Sequence, residues 1–349
     1  MAQFGAATAN DLASLALAFY VRAPMQSQTT QKKPLLKFLN SGKESFPSGN
    51  ATVSEPVQSV YMSDTAGFLQ GYSGDDSINF ATAANALRAN FTWKEVQTSL
   101  VINWTELKID GITITDHQKT SEHSQTALTR LTSILKNRMA DFTESQARAF
   151  NKMYWQDGTQ DAKQIAGLSA LLPDVNNEGT IGGLTLDGTY PGWRHRVNLA
   201  VPTSAADSSL IHFLNDELIQ LRRYGGEPDK ALCGSDFLRA LRREAVAKGY
   251  FSMTGFADKK ATNLGIAGIR IEGLGDFEYD PTLDDNGMSK RCYILDSVRG
   301  PKLRPMEEED MKILTPERPY NYMVFLKTVT FTGVLTLKQL NCNAVYKVA

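Results

Sequence analysis

The residues of this chain that could carry catalysis or bind ligands are its histidines, a glycine-rich run and clustered carboxylates. The four histidines are His117, His123, His195 and His212. None has the H-E-x-x-H spacing of a zinc site, and none neighbours a nucleophile in a G-x-S-x-G turn. We therefore expect surface or packing roles for them, and only His195 has an unusual setting, between Arg194 and Arg196.

The glycine-rich run from Gly179 to Gly188 lacks the order of a phosphate-binding loop. It contains no G-x-x-x-x-G-K-[ST], and no G-x-G-x-x-G follows a strand and opens a helix, so turn-dense backbone accounts for it better. The twelve-residue calcium-loop pattern is also absent around the two carboxylate sets, Asp157 with Asp161, and Asp280 with Asp284 and Asp285. We predict no catalytic residue, no cofactor site and no metal site, and therefore no enzyme.

Composition limits the class of protein. The chain has 349 residues, 42% hydrophobic and 21% charged, with a net charge of -1, which is typical of a soluble globular protein with two or three subdomains. The near-neutral charge argues against a dedicated nucleic-acid reader. The cysteines are few and widely spaced, which favours reduced thiols, and no signal peptide or membrane span is recognisable near the amino terminus. We expect synthesis and assembly in a cytoplasm.

Two groups of side chains remain as candidate contact residues. Trp193, Arg194 and Arg196 could pair with a neighbouring subunit, because Trp and Arg are favoured interface anchors. A Trp buried in its own subunit under the arginine stems is an equal alternative. A second group could touch DNA phosphates through charge alone, or could belong to a solvated polar arm: Lys32, Lys33, Lys37 and Lys43.

The longest pattern in the chain predicts an amphipathic helix from Glu122 to Tyr154. This stretch contains no Pro and no Gly, and its apolar residues recur with a helical period. An unbroken helix of this length would extend for about 50 Å. Because few compact domains cover so long a helix, we predict a spine to which several subdomains attach.

The segments before this helix are poorer in apolar residues. A helix is expected at 11–22, and the short apolar patch at 34–39 lacks a core of its own, so it would be disordered or would lie across a neighbouring subunit. Residues 96–104 alternate as a strand, and with a strand near 57–61 they would form a two-stranded arm that needs a partner surface.

After the spine, the pattern indicates an α+β lobe and C-terminal strands. Ser204 and Ser235 are expected to cap two helices, and short strands are expected at 267–271, 276–279 and 292–295. Two strands, 323–331 and 334–340, are expected on either side of Gly333 and would fold back against the spine helix.

Four motifs follow the spine helix in order. They are W-x-D-G-T at 155–159, I-x-G-L at 165–168, G-T-I-G-G-L at 179–184 and Y-P-x-W-R at 190–194. With the long helix before them, they resemble the central part of the major capsid proteins of tailed bacteriophages. The resemblance implies an α+β Hong Kong 97-type capsid fold, divided into an N-terminal arm (1–50), an extended β-hairpin loop (51–110), a peripheral domain with the spine helix (111–165), an axial domain (166–315) and C-terminal strands of the peripheral domain (316–349).

The resemblance also implies a function. The chain would be a structural head protein that assembles as pentamers and hexamers into an icosahedral shell around double-stranded DNA, located in the virion and assembled in the host bacterial cytoplasm. A shell of an encapsulin-like nanocompartment and a soluble α+β enzyme remain the alternatives. The implied partners are further copies of the chain, DNA bound nonspecifically, a portal and a decoration protein, without a membrane.

Two details of assembly are expected from this resemblance. The short segment before the loop leads us to expect that scaffolding is supplied by a separate protein. Some capsids of this fold join a loop Lys to a neighbour's Asn, but the stretch from Tyr61 to Asn90 contains no Lys. We therefore predict no covalent crosslinking between subunits.

Overall fold

The structure is a computed structural model. It describes residues 30–59, 61, 68–76, 87–103, 105, 125–190, 192–247, 269–271, 274–314 and 324–349, with the backbone alone at 125–137, 269–271 and 325–326. The expected helix at 11–22 lies outside these residues. The chain forms two compact units: unit 1 comprises Met1–Gln31, Val96–Ala149 and Met311–Phe331, and unit 2 comprises Lys32–Glu95, Phe150–Asp310 and Thr332–Ala349.

The described helices and strands follow the chain in this order. The helices are α1 (Pro34–Ser41), α2 (Gln125–Trp155), α3 (Leu168–Leu171), α4 (Ser209–Arg222), α5 (Ser235–Ala247) and α6 (Pro281–Asp285). The strands are β1 (Thr52–Val57), β2 (Leu87–Thr92), β3 (Lys94–Asn103), β4 (Thr180–Ile181), β5 (Leu184–Thr185), β6 (Arg196–Val201), β7 (Lys230–Cys233), β8 (Ile269–Ile271), β9 (Gly275–Tyr279), β10 (Arg291–Leu295), β11 (Pro301–Pro305), β12 (Lys312–Leu314), β13 (Val324–Leu337) and β14 (Ala344–Val348).

The spine helix is confirmed as α2. It runs unbroken for 31 residues, which is about 47 Å at 1.5 Å per residue. Its last turns belong to unit 2, where Phe150, Met153, Tyr154 and Trp155 are buried. Both its length and its carboxyl end therefore agree with the apolar pattern in the sequence.

The core of unit 2 is a six-stranded mixed sheet in the order β6-β14-β10-β7-β9-β8. Strand β14 is parallel to β6, and β7 is parallel to β9, whereas β10 is antiparallel to both β14 and β7. Helices α4 and α5 bury their apolar residues with one face of this sheet, around Leu214, Phe237, Phe277, Ile294 and Tyr346. The short strands expected in this lobe are confirmed, and its α+β class with them.

The start of α4 differs from the expected cap. The helix begins at Ser209 rather than after Ser204, and Ser208 at its N-cap makes no side-chain cap hydrogen bond. The buried carboxylate of Glu244, on α5, instead accepts hydrogen bonds from the backbone N–H groups of Leu210 and Ile211, at 3.0 and 3.1 Å. An acid that is distant in the sequence thus binds the free backbone N–H groups of the first turn of the helix. A local capping pattern does not reveal such a contact.

The predicted strand pairing was wrong. Strand β1 pairs antiparallel with β2 rather than with β3, with Thr52 opposite Thr92 and Val57 opposite Leu87. Strand β3 pairs with β13 instead. Alternation alone identifies a strand but does not identify its partner, because the side-chain period is the same on every strand.

The C-terminal strands also differ from expectation. Residues 324–337 form one continuous strand, β13, rather than two strands interrupted at Gly333. In unit 1 its first half pairs with β12, and in unit 2 its second half pairs with β11, with Gly333 opposite Pro305. Because a partner strand covers this position, the glycine does not end the strand.

Candidate assembly surfaces

The amino-terminal segment is anchored on its own chain, which corrects the expectation that it lacks a core. Leu35 and Leu39 on α1 are 0% and 1% exposed. The backbone N–H of Leu36 donates to the side-chain oxygen of Asn151 on α2, at 3.0 Å. The apolar residues of α1 therefore complete a core that distant parts of the chain supply, a contact that the local sequence does not show.

A buried carboxylate joins the end of the spine helix to α6. Asp280 is 0% exposed and caps α6 by accepting a hydrogen bond from the backbone N–H of Thr282 at 2.9 Å. The indole N–H of Trp155 donates to the same carboxylate at 2.9 Å, and the amide of Asn151 donates to the Thr282 hydroxyl at 2.7 Å. We call Asp280, Asn151, Trp155 and Thr282 the buried junction. It has a structural role, since these four residues are joined by hydrogen bonds to one another.

The hairpin formed by β1 and β2 is fixed at its base. Glu55 is 3% exposed, and its carboxylate pairs with Arg304 at 2.7 Å and accepts from the Thr336 hydroxyl at 3.0 Å. On the partner strand, the backbone N–H of Asn90 donates to the carbonyl of Gly182 at 2.8 Å. The hairpin base is thus held by β11, by β13 and by the glycine-rich segment.

A second acid strengthens this attachment. Glu44, directly after α1, accepts from Lys302 and Arg304 at 3.0 and 2.9 Å and from Lys338 at 3.3 Å. The hydrogen bond from Lys302 is the main reason that the pKa of Glu44 lies below its usual value. Three cations around one partly exposed carboxylate stabilise its ionised form.

In contrast to the buried hairpin base, the described part of the loop between β1 and β2 exposes large apolar side chains. Leu69 and Tyr72 are 94% and 83% exposed, and Phe68 is 53% exposed. We call residues 68–76 the loop segment. Three large apolar side chains within five residues of one another are therefore exposed, which is unusual for a surface loop.

The structure places Trp193 inside its own chain. The side chain is 1% exposed, and its indole N–H donates to the carbonyl of Ile181 at 3.2 Å. Arg194 is half-buried beside it and donates to the carbonyl of Leu186 at 2.9 Å. Of the two interpretations of Trp193, the geometry matches the buried one.

Arg196 lies on the surface in a paired arrangement. Its guanidinium makes two hydrogen bonds to Glu217 on α4, at 2.7 and 2.8 Å, and the Tyr346 hydroxyl donates to the same carboxylate at 2.8 Å. Burial tends to raise the pKa of Glu217, but the bonds from Arg196 and Tyr346 outweigh it, so the pKa lies below its usual value. The Arg196 side chain remains 44% exposed and accessible to another molecule.

His195 is a buried packing residue. It is 1% exposed, and one ring nitrogen lies 2.6 Å from the carbonyl of Pro173, while Nδ1 has no hydrogen-bond partner among the described residues. Burial lowers its pKa, and the Pro173 carbonyl and the charge of Asp174 only partly oppose this. The imidazole is therefore neutral near pH 7, which agrees with the packing role expected from the sequence.

The lysines proposed to face DNA lie on and around α1. Lys32 and Lys37 are exposed, and Lys33 is half-buried. Lys43 forms an ion pair with Asp310. Part of the positive charge of this segment is thus already balanced within the chain.

An open cleft of about 420 Å³ lies beside the carboxyl end of α2. Its charged lining includes Arg291 and Asp174, which pair through two hydrogen bonds of 2.7 Å. Among the described residues, no group of three or more His, Cys, Asp or Glu side chains is arranged to hold a metal ion, and no helix is long and apolar enough to cross a membrane.

By sequence, the chain matches no protein-family model and no curated protein. Its structure matches solved capsid structures over almost the whole chain. The cyanophage A-1(L) capsid asymmetric unit aligns with a TM-score of 0.63 and 13% identity, over 93% of this chain and 95% of that chain. The chain has the Hong Kong 97-type capsid fold.

Two further solved structures share this fold. The capsid of the native GTA particle aligns with a TM-score of 0.55 and 15% identity, over 97% of this chain and 98% of that chain. The capsid of Myoviridae phage XM1 aligns with a TM-score of 0.52 and 11% identity, over 95% and 98%. The capsid fold implied by the four sequence motifs is thereby confirmed.

Sequence analysis missed the residues that hold this capsid fold together. Asp280 stands in an Asp-Pro pair that is typical of turns, and Glu55 and Glu244 look like ordinary surface acids. Their partners are far away in the sequence, so spacing does not reveal them. The Pro after Asp280 was the only local signal, since Pro is favoured at the first position of a helix whose N-cap is Asp.

Proposed function

We propose that this chain is a major capsid protein. Copies assemble as pentamers and hexamers into an icosahedral shell that encloses double-stranded phage DNA. The protein is a component of the virion, assembles in the cytoplasm of a host bacterium and has no enzymatic activity.

The extent of the structural match carries this proposal. The alignment with the cyanophage capsid subunit covers 93% of this chain, so the two share the whole architecture rather than one common domain. A shared fold can host several functions, so a capsid protein must also have a surface suited to assembly. The exposed loop segment on the anchored hairpin supplies that surface.

The loop segment is proposed to lie on a second copy of the chain. Phe68, Leu69 and Tyr72 are held out in water by a hairpin base that is packed into unit 2. Covering side chains of this size stabilises a complex by about 1.5–3 kcal/mol each. If each copy makes this contact with the next copy, a closed symmetric ring forms. A pentamer or hexamer of a capsid is such a ring.

The arginines predicted as interface residues fit a supporting role. Arg196 forms an ion pair with Glu217 but keeps an exposed side chain, and Arg194 is half-buried. Exposed charge pairs contribute little energy and mainly favour one orientation of the partner. We propose that Arg196 helps to orient neighbouring subunits and that Trp193 acts through the packing beneath it.

Further partners follow from a shell of this kind. A separate scaffolding protein, a portal and a decoration protein are proposed, together with nonspecific contact to DNA. Subunits are held without covalent crosslinks, because residues 61–90 contain no Lys. Denaturing gel electrophoresis of particles should therefore show one band of about the subunit mass, and a ladder of covalent oligomers would contradict this.

Electron microscopy tests the proposal directly. The purified full chain, expressed with candidate scaffolding proteins from the same genome, should form closed particles tens of nanometres wide. Particles from infected cells should contain double-stranded DNA. A chain that remains monomeric under all these conditions, or particles filled with an enzyme instead of DNA, would overturn it.

A further inference from the structure

We propose that the outward face of α5 binds the phosphate backbone of double-stranded DNA through Arg239, Arg242 and Arg243. This inference rests on the proposed function, because it assigns a DNA-facing surface to a subunit of a DNA-filled shell. It differs from the sequence-based expectation, which placed the DNA contact on the lysines around α1.

The three arginines lie together on one side of the helix. Phe237, Leu238 and Leu241 of α5 are buried against the sheet. Residues three and four apart are neighbours on a helix surface, so Arg239 is adjacent to both of the other arginines. The Arg239 side chain is 61% exposed, Arg243 is exposed, and Arg242 is half-buried.

The acids of the same helix do not neutralise this face. Glu244 is buried and caps α4. Asp236 accepts from the Ser289 hydroxyl at 2.7 Å and shares its other oxygen with Arg239 at 3.1 Å. Within the described part of the chain, Arg242 and Arg243 form no ion pair or hydrogen bond. The described residues therefore leave most of the positive charge of α5 uncompensated.

The neighbouring helix does not remove this excess. Helix α4 packs beside α5. Its exposed charged residues are Asp216 and Arg222, and Arg223 follows as the C-cap, while Glu217 pairs with Arg196. The outer surface of the two-helix layer thus carries more exposed arginines than exposed acids.

The chemistry of this face fits phosphate better than a protein surface. Guanidinium groups bind phosphate oxygens in a bidentate manner, and DNA offers a dense, regular row of such groups. Protein interfaces are usually centred on buried aromatic or large apolar residues. Val246, at the far end of the helix, is the single large hydrophobic side chain that the described part of α5 exposes.

Salt-dependent DNA binding tests the assignment. The full chain is kept dilute enough that no particles form, and its affinity for a random-sequence DNA duplex is measured at several salt concentrations. Each phosphate contact contributes about one unit to the slope of log K against log salt. The variant R239Q/R242Q/R243Q should therefore lose about three units of slope, whereas the control variant K32Q/K37Q should keep the slope of the wild type.

Two further measurements make the result decisive. The variant R239K/R242K/R243K retains the charge and should retain the slope. Circular dichroism of all variants shows whether any of them has a general folding defect. An unchanged slope in the Gln variant, or a loss confined to the lysine control, would overturn the proposal. It would also be overturned if the Gln variant failed to form particles while its DNA slope stayed normal, which would assign α5 to a protein contact. Failure of the wild type to form particles would refute the capsid function without altering this slope comparison.

Discussion

The two ends of the β1–β2 hairpin differ sharply in their surroundings. At the base, Glu55, Ala89 and Phe91 are 3%, 0% and 7% exposed. In the loop segment, Leu69 and Tyr72 are 94% and 83% exposed. The base is stabilised by contacts within the chain, whereas the apolar side chains of the loop segment are exposed. One hairpin thus joins a region that determines folding to a region suited to assembly.

The buried junction should have the largest effect on folding. Asp280→Ala removes the cap of α6 and leaves the indole N–H of Trp155 without an acceptor, so we expect a loss of about 3 kcal/mol in the free energy of unfolding. Denaturant titration of the dissociated subunit measures it. Asp216→Ala, at an exposed position of α4, is the matched control and should change the value by less than about 0.5 kcal/mol. Equal stability of the two variants would contradict the role of the junction.

The hairpin base should show a smaller effect. Glu55→Gln removes the charge that pairs with Arg304 but keeps an acceptor for the Thr336 hydroxyl. Because Glu44 still pairs with Arg304, we expect a loss of about 1–2 kcal/mol. Glu95→Gln, an exposed residue near the same hairpin, serves as control. If Glu55→Gln is as stable as this control, the base does not depend on the buried carboxylate.

The effect of pH on the free energy of unfolding should be the smallest of the three. The pKa of His195 is lowered from 6.5 by burial. The unfolded chain therefore binds a proton that the folded chain does not, and stability falls as pH decreases below 6.5. The usual carboxylate pKa is 4.5 for Glu44 and Glu217, and both are lowered, so their contribution is lost only at more acid pH.

His195→Gln isolates this contribution, since the Gln amide can still donate to the Pro173 carbonyl. Unfolding titrations at pH 7 and pH 5 should show a smaller loss of stability for this variant than for the wild type, by at most about 1.4 kcal/mol per pH unit. The same loss in both proteins would show that His195 does not titrate differently on folding.

The sequence predicted local features well and distant contacts poorly. The spine helix was predictable because its period, and the absence of Pro and Gly, are local properties of residues 122–154. The anchoring of β1 and of α1 was not, since it depends on Arg304, Thr336 and Asn151, which are far away in the chain. The prediction that residues 34–39 lack a core of their own chain was wrong for this reason.

The candidate contact residues show the same limit. A Trp between Gly and Arg allowed two interpretations, an interface anchor or a side chain buried in its own subunit, and Trp193 is buried beneath the glycine-rich segment. The loop segment was located only as part of the extended β-hairpin loop at 51–110, because exposure of Phe68 and Leu69 is a property of the folded chain rather than of residue type. The proposed domain boundaries and DNA-facing lysines stay predictions.

The contrast between the two ends of the hairpin is tested most directly by Phe68→Ser combined with Leu69→Ser, with Gln70→Ser as control. Both proteins are examined by denaturant unfolding and by electron microscopy under assembly conditions. We predict that the double variant keeps the unfolding free energy of the wild type to within about 0.5 kcal/mol and loses at least about tenfold in particle yield, since two uncovered apolar contacts are removed. Particles formed at the yield of the wild type would contradict the account.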